Sequence, residues 1–167
     1  SPGGTSVGMT TVPKRDDESY IHFQDCLTSL NRAWQILGAL EAQNISPVVS
    51  LAAFQMAIVE YAKPFRKSHG VNGRRLSIVI PPLPDAKAKL HDRLLSLRDQ
   101  ALAHSDLSIE EAKVYVDAIS GQPFPMIMSN ADPSLPSPAA VRALVESVLD
   151  ALYARIPDFN EMFRDPA

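Results

Sequence analysis

From Asp17 to about Gln43, Tyr20, Phe23, Leu27, Leu30, Trp34 and Leu37 recur at steps of three and four, the spacing that lines one stripe of an α-helix. A first long helix is therefore expected. Asn44-Ile45-Ser46-Pro47 then reads as a turn and a new helix start. Serine stands where its oxygen can take a free backbone N–H, and proline stands at the first helical position, where no N–H is needed. Leu51, Phe54, Ile58, Tyr61 and Phe65 continue as a second stripe, and Pro64 should end it, because proline disfavours helical backbone in the residue before it. Two long helices joined by so short a turn should pack antiparallel.

Arg66 to Pro84 loses this rhythm. Gly70, Gly73, the run Leu76 to Ile80 and the stiff Pro81-Pro82-Leu83-Pro84 predict a long ordered loop or a brief strand. Asp85 should cap a third helix with Leu90, Leu94, Leu97 and Ala101 on its core stripe, ending near His104. Ala112 to Ala118 alternates like a strand, and Ser120-Gly121-Gln122 separates it from Phe124 to Met128. A β-hairpin is the reading for this stretch; a helix over Glu110 to Ala118 is the alternative, and Pro125 requires an edge position in the hairpin. Ser137-Pro138 repeats the cap-and-proline signal ahead of a fourth stripe, Val141, Leu144, Val145, Val148, Leu152 and Ile156. The tail from Pro157, with Phe159, Met162 and Phe163, should fold back on the helices. The fold class expected is mainly α: an up-and-down four-helix bundle with a small β-hairpin insertion.

Composition narrows this picture. A chain of 167 residues with 46% hydrophobic and 21% charged residues has the make-up of one packed domain, expected over 15–167 behind a flexible tail, 1–14. Ser1 to Gly8 reads like a tag remnant ahead of Met9. With a formal charge of −3 the whole molecule does not attract polyanions, so a nucleic-acid contact would need a local patch. The single cysteine, Cys26, cannot form an internal disulfide and falls in an apolar pattern, which suits a buried thiol in a reducing, cytoplasmic setting. No apolar stretch reaches the roughly 20 residues that span a bilayer, so no membrane partner is expected.

A local patch is present. Lys63, Arg66, Lys67, Arg74 and Arg75 crowd the stretch from Tyr61 to Pro84, which holds no acidic residue. Such a run could bind a phosphate backbone, with Tyr61 and Phe65 available to stack on bases of single-stranded RNA; alternatively it keeps a surface loop solvated.

The end of the third helix, Leu97-Arg98-Asp99-Gln100-Ala101-Leu102-Ala103-His104-Ser105-Asp106, carries the most specific pattern. It resembles the arginine-to-histidine signature of the HEPN superfamily, in which four to six residues separate the two and a polar residue follows the arginine, here Asp99. Arg15 and His22 share the spacing but lie at the start of the first helix, without that context. The resemblance implies a HEPN-like helical bundle that forms a homodimer, a metal-independent endoribonuclease or RNA-binding protein of toxin or phage-defence type, and, for a toxin, a cognate antitoxin. Residues six apart on a helix are about 240° apart, so Arg98 and His104 do not meet on one helix; the family's answer is a cleft shared by two chains. His104 would then move a proton, Arg98 would stabilise phosphoryl charge, and Asp99 would orient one of the two. The competing readings are a non-catalytic dimerisation or interaction module, in which His104 only closes its helix, and a small-molecule sensor with a pocket beside Arg66 to Pro84. No cofactor or metal is expected: His69 and His91 are isolated, and Cys26 has no evident activating base.

Overall fold

The computed structural model describes residues 15–42, 44–70, 73–102, 110–116, 118–129 and 135–164. Helix α1 spans Asp17–Ala42, and α2 spans Pro47–Ala62. The Ser46 side chain accepts the Val49 N–H at the start of α2, the cap that the Ser-Pro pair predicts. Pro64 ends α2 by tightening it into a 3-10 turn, Lys63–Phe65. A two-residue pair follows, β1 (Ser68–His69) against β2 (Arg75–Leu76), so the loop and brief-strand readings both hold for this segment. Helix α3, Asp85–Leu102, takes Asp85 into its first turn rather than using it as the cap.

The stretch left open between hairpin and helix is a hairpin. Strand β3, Glu110–Val116, pairs antiparallel with β4, Pro123–Ser129, with Val114 opposite Pro125. A sheet of two strands has only edges, so Pro125 costs no interior ladder bond. Gly121, at φ 69°, supplies the left-handed backbone of the turn. Helix α4, Pro138–Tyr153, opens on Ser137, whose oxygen accepts the Ala140 N–H. The fourth stripe breaks before Ile156, and α5, Ile156–Met162, folds back as expected: Phe159 stacks on Phe23 with ring centres 4.5 Å apart, and Tyr20 packs on Phe163.

The core lies where α1, α2, α3 and α4 meet. Leu30, Leu37, Tyr61, Leu94, Leu144 and Val148 are fully buried, all at the positions that the apolar stripes pick out. Helices α1 and α4 run antiparallel, since Glu41 meets Arg142, Trp34 meets Glu146 and Asn31 meets Tyr153. Strict up-and-down alternation fails at α3. Tyr61, at the end of α2, meets His91, and Arg66, just past the 3-10 turn, reaches Leu95 and Asp99 further along α3, so α3 runs on in the sense in which the chain leaves α2. Residues 66–84 make this possible, because a connection of that length can return to the far end of α2 where a short turn could not. Ile78 anchors the return, buried and donating its N–H to Pro64 O at 2.7 Å. No described helix is long and apolar enough to cross a membrane.

Truncating Leu144→Ala, at a site with no exposure, is expected to cost about 2–5 kcal/mol in urea unfolding, and Ser137→Ala about 1 kcal/mol through the lost cap. Val79→Ser, on an exposed side chain, should stay within about 0.5 kcal/mol of the parent.

Candidate functional site

A buried carboxylate organises the junction of α1, α2 and the 3-10 turn. Glu60 is 3% exposed, and its Oε1 accepts from Arg32 Nη1 at 3.1 Å and from Lys63 Nζ at 2.7 Å. Burial pushes the Glu60 carboxyl up, but the hydrogen bonds and charges of Lys63 and Arg32 together outweigh it and hold the group below the usual range. Both cations face a cavity of about 650 Å³ on the far side.

That cavity brings together features that are remote in sequence. Arg32 and His22 come from α1, Lys63, Arg66 and Lys67 from the segment after α2, and Arg98 from α3. Arg98 and the cationic run, two separate signals in the sequence, thus share one lining. Two carboxylates, Glu18 and Asp25, lie in the same wall. Asp99 accepts from both flanking guanidiniums, Arg66 Nη2 and Arg98 Nη1, the latter at 3.2 Å. Arg66 also donates to Leu95 O at 3.2 Å, tying the segment after α2 to the last turns of α3. Among the described residues Asp99 thus holds Arg98, one of the two groups the sequence offers it, and also Arg66. The Nε atoms of Arg66 and Arg98 are buried without an acceptor among the described residues.

Other expected residues go elsewhere. Arg74 turns to the start of α1, where its two terminal nitrogens grip Asp16 at 2.8 and 3.0 Å and it donates to Ser19 Oγ. The Arg74 guanidinium holds the Asp16 carboxyl far below the usual carboxylate range. Arg75, in β2, is exposed. His104 lies outside the described residues. Tyr61 cannot stack on a base: it is fully buried, and its hydroxyl lies 2.8 Å from His91 Nδ1. Phe65 meets the same imidazole edge-on at 4.6 Å, so the aromatic pair serves the core rather than a ligand.

Sequence spacing also passed over the start of α1. His22 and Cys26, one helical turn apart, place imidazole Nε2 3.6 Å from Sγ. Burial pushes the Cys26 thiol up to about 12, so this is a thiol beside an imidazole and not an ion pair. Burial also lowers the pKa of His22 below its usual 6.5, partly opposed by Asp25. The i, i+4 pairing of histidine and cysteine is the signal that could have found it. Gly70, after β1, lies close to α1: a Cβ there would sit 2.6 Å from Glu18 Oε1, so a larger residue would displace that carboxylate. Among the described residues, no three His, Cys, Asp or Glu side chains gather as metal ligands.

Comparison with protein-family models, with curated proteins and with solved structures finds no match to this chain in any of the three.

Two outcomes follow from the charges. Lys63→Met or Arg32→Ala should each destabilise the fold by about 1–3 kcal/mol in urea, and the double variant by about 3–5 kcal/mol, because the buried Glu60 loses its counter-charge. Burial lowers the pKa of both His22 and His91 from 6.5, so the folded state binds fewer protons than the unfolded chain below that pH. Stability should therefore fall as pH drops below about 6.5 towards the lowered values. His91→Gln is expected to flatten part of that slope in a pH series of thermal unfolding.

Proposed function

We propose that the protein is a HEPN-like, metal-independent endoribonuclease or RNA-binding protein of toxin or phage-defence type, acting on single-stranded RNA as a homodimer. One observation supports this reading above the others: Arg98, the arginine of the family-like signature, lines the same cavity as Lys63, Arg66 and Lys67. A cavity wall with more cations than carboxylates suits a phosphodiester chain, whose negative charge repeats at every nucleotide.

In this reading Lys63 and Lys67 neutralise the backbone as point charges, while Arg98 offers its planar fork to phosphoryl oxygens. Asp99 fixes the orientation of Arg98 and Arg66 before any ligand arrives. His104 supplies proton transfer, two α3 ends meet in the homodimer, and a cognate antitoxin would cover the cleft. A second reading, a non-catalytic interaction module, has its own support in α2. Its outward residues Val48 and Met56 are 79% and 49% exposed, and no charged residue lies between Ile45 and Val59.

Incubation with single-stranded RNA in EDTA tests the first reading. Cleavage by the parent protein is expected, with a loss of about 10²–10⁴-fold in His104→Ala and a comparable loss in Arg98→Ala, both variants remaining helical by circular dichroism. Lys67→Ala should weaken RNA binding evenly across sequences and lower the salt slope by about 0.7. Neither cutting nor binding of RNA by the parent would leave the interaction module as the working function.

A further inference from the structure

We infer that His22 is a proton-transfer residue of this cavity, placed to accept the 2′-hydroxyl proton of an RNA strand held against Arg98 and Lys63. This rests on the RNA reading above and adds to it a group contributed by α1, outside the arginine-to-histidine signature. The position carries the argument. His22 lines the cavity with Arg98 and Lys63, half-buried, one helical turn from Glu18 and one turn from Cys26, which share the lining. A metal-independent cleavage needs a proton acceptor within hydrogen-bond reach of the 2′-hydroxyl. Of the other described histidines, His91 is buried against Tyr61, and His69 lines the same cavity but from the exposed strand β1, without the half-buried setting of His22.

The surroundings of the ring fit the role. Its contact with Cys26 Sγ packs the imidazole against a neutral thiol, which fixes the ring without adding charge. Burial favours the neutral imidazole near physiological pH, the form that can accept a proton. Guanidinium and ammonium groups of the same lining would hold the phosphate while leaving the imidazole as acceptor. In the step itself, the 2′-oxygen gives its proton to His22 and forms a bond to phosphorus. The bond from phosphorus to the 5′-oxygen breaks, and that oxygen takes the proton that the reading above assigns to His104. The products are a 2′,3′-cyclic phosphate and a 5′-hydroxyl, with no change of oxidation state.

The test separates binding from cutting. Parent protein, His22→Gln, His22→Asn and His69→Gln are assayed for cleavage of single-stranded RNA in EDTA, and for binding to the same sequence as 2′-O-methyl RNA, which cannot be cut by this route. The parent should bind and cut, leaving cyclic phosphate ends. Both His22 variants should bind within about twofold of the parent and cut at least about 100-fold more slowly, while His69→Gln keeps its rate. A His22 variant that cuts at the parental rate overturns the inference and leaves the RNA reading standing. Loss of binding together with cutting in both His22 variants overturns it too, because the residue would then be structural. A parent that binds the 2′-O-methyl strand but does not cut RNA removes the proton-transfer role alone; a parent that neither binds nor cuts removes both readings.

Discussion

A carboxylate cut off from water must be matched by charge, and Glu60 imposes that constraint where α1, α2 and the 3-10 turn converge. One oxygen takes both cations, while Oε2 is buried without a partner among the described residues, so the pair from Arg32 and Lys63 carries the whole compensation. The same two cations line the cavity. Fold and candidate site are thus coupled through one carboxylate. The positive wall is held in place by a group behind it, and side chains that would otherwise sample many rotamers arrive fixed. Asp99 does the same on the α3 side with Arg66 and Arg98. Two acids, each bridging two bases, give the cavity its shape.

The helices were legible in the sequence, and the direction of α3 was not. The stripes are local patterns, and burial follows them at Leu30, Leu37, Tyr61, Leu94 and Val141 to Leu152, though Leu51, at the head of the second stripe, is 45% exposed. Ser46 and Ser137 announce their helices through a single side-chain oxygen each, again a local device. Helix α3 is different. Its stripe says that one face is buried but not which way the helix points, and the direction is set by contacts such as Ile78 N–H to Pro64 O and Arg66 to Asp99, made across gaps that no periodicity records.

The site was half legible for the same reason. Charge segregation in residues 61–84 marked Lys63, Arg66 and Lys67, and the signature marked Arg98, but only packing shows that they share a wall. Segregation in sequence also misled. Arg74 sits in the acid-free run yet reaches back to Asp16 on another element, a pairing that a scan along the chain cannot see. Tyr61 belongs to a stripe and to the cationic run at once, and the stripe decides: a fully buried ring with its hydroxyl at His91 has no face left for a base. His22 fell on the other side of this ambiguity. Its spacing from Arg15 resembled a motif, whereas its place in the structure is defined by Cys26, one turn along α1, and by the cavity.

The internal pairing of the cationic wall bears on how it could work. Arg32 and Lys63 already hold Glu60, and Arg66 and Arg98 already hold Asp99, so their charge is partly neutralised before any ligand binds. A phosphate entering the cavity would not meet bare cations. It would meet guanidiniums with donors to spare, since each carries five N–H groups and uses only some of them on its carboxylate. Binding of that kind gives up raw electrostatic attraction for orientation: the anion is received by donors whose directions are set in advance. The same balance would let an acidic protein receive a polyanion through one cavity rather than across its whole surface, as the proposed function requires.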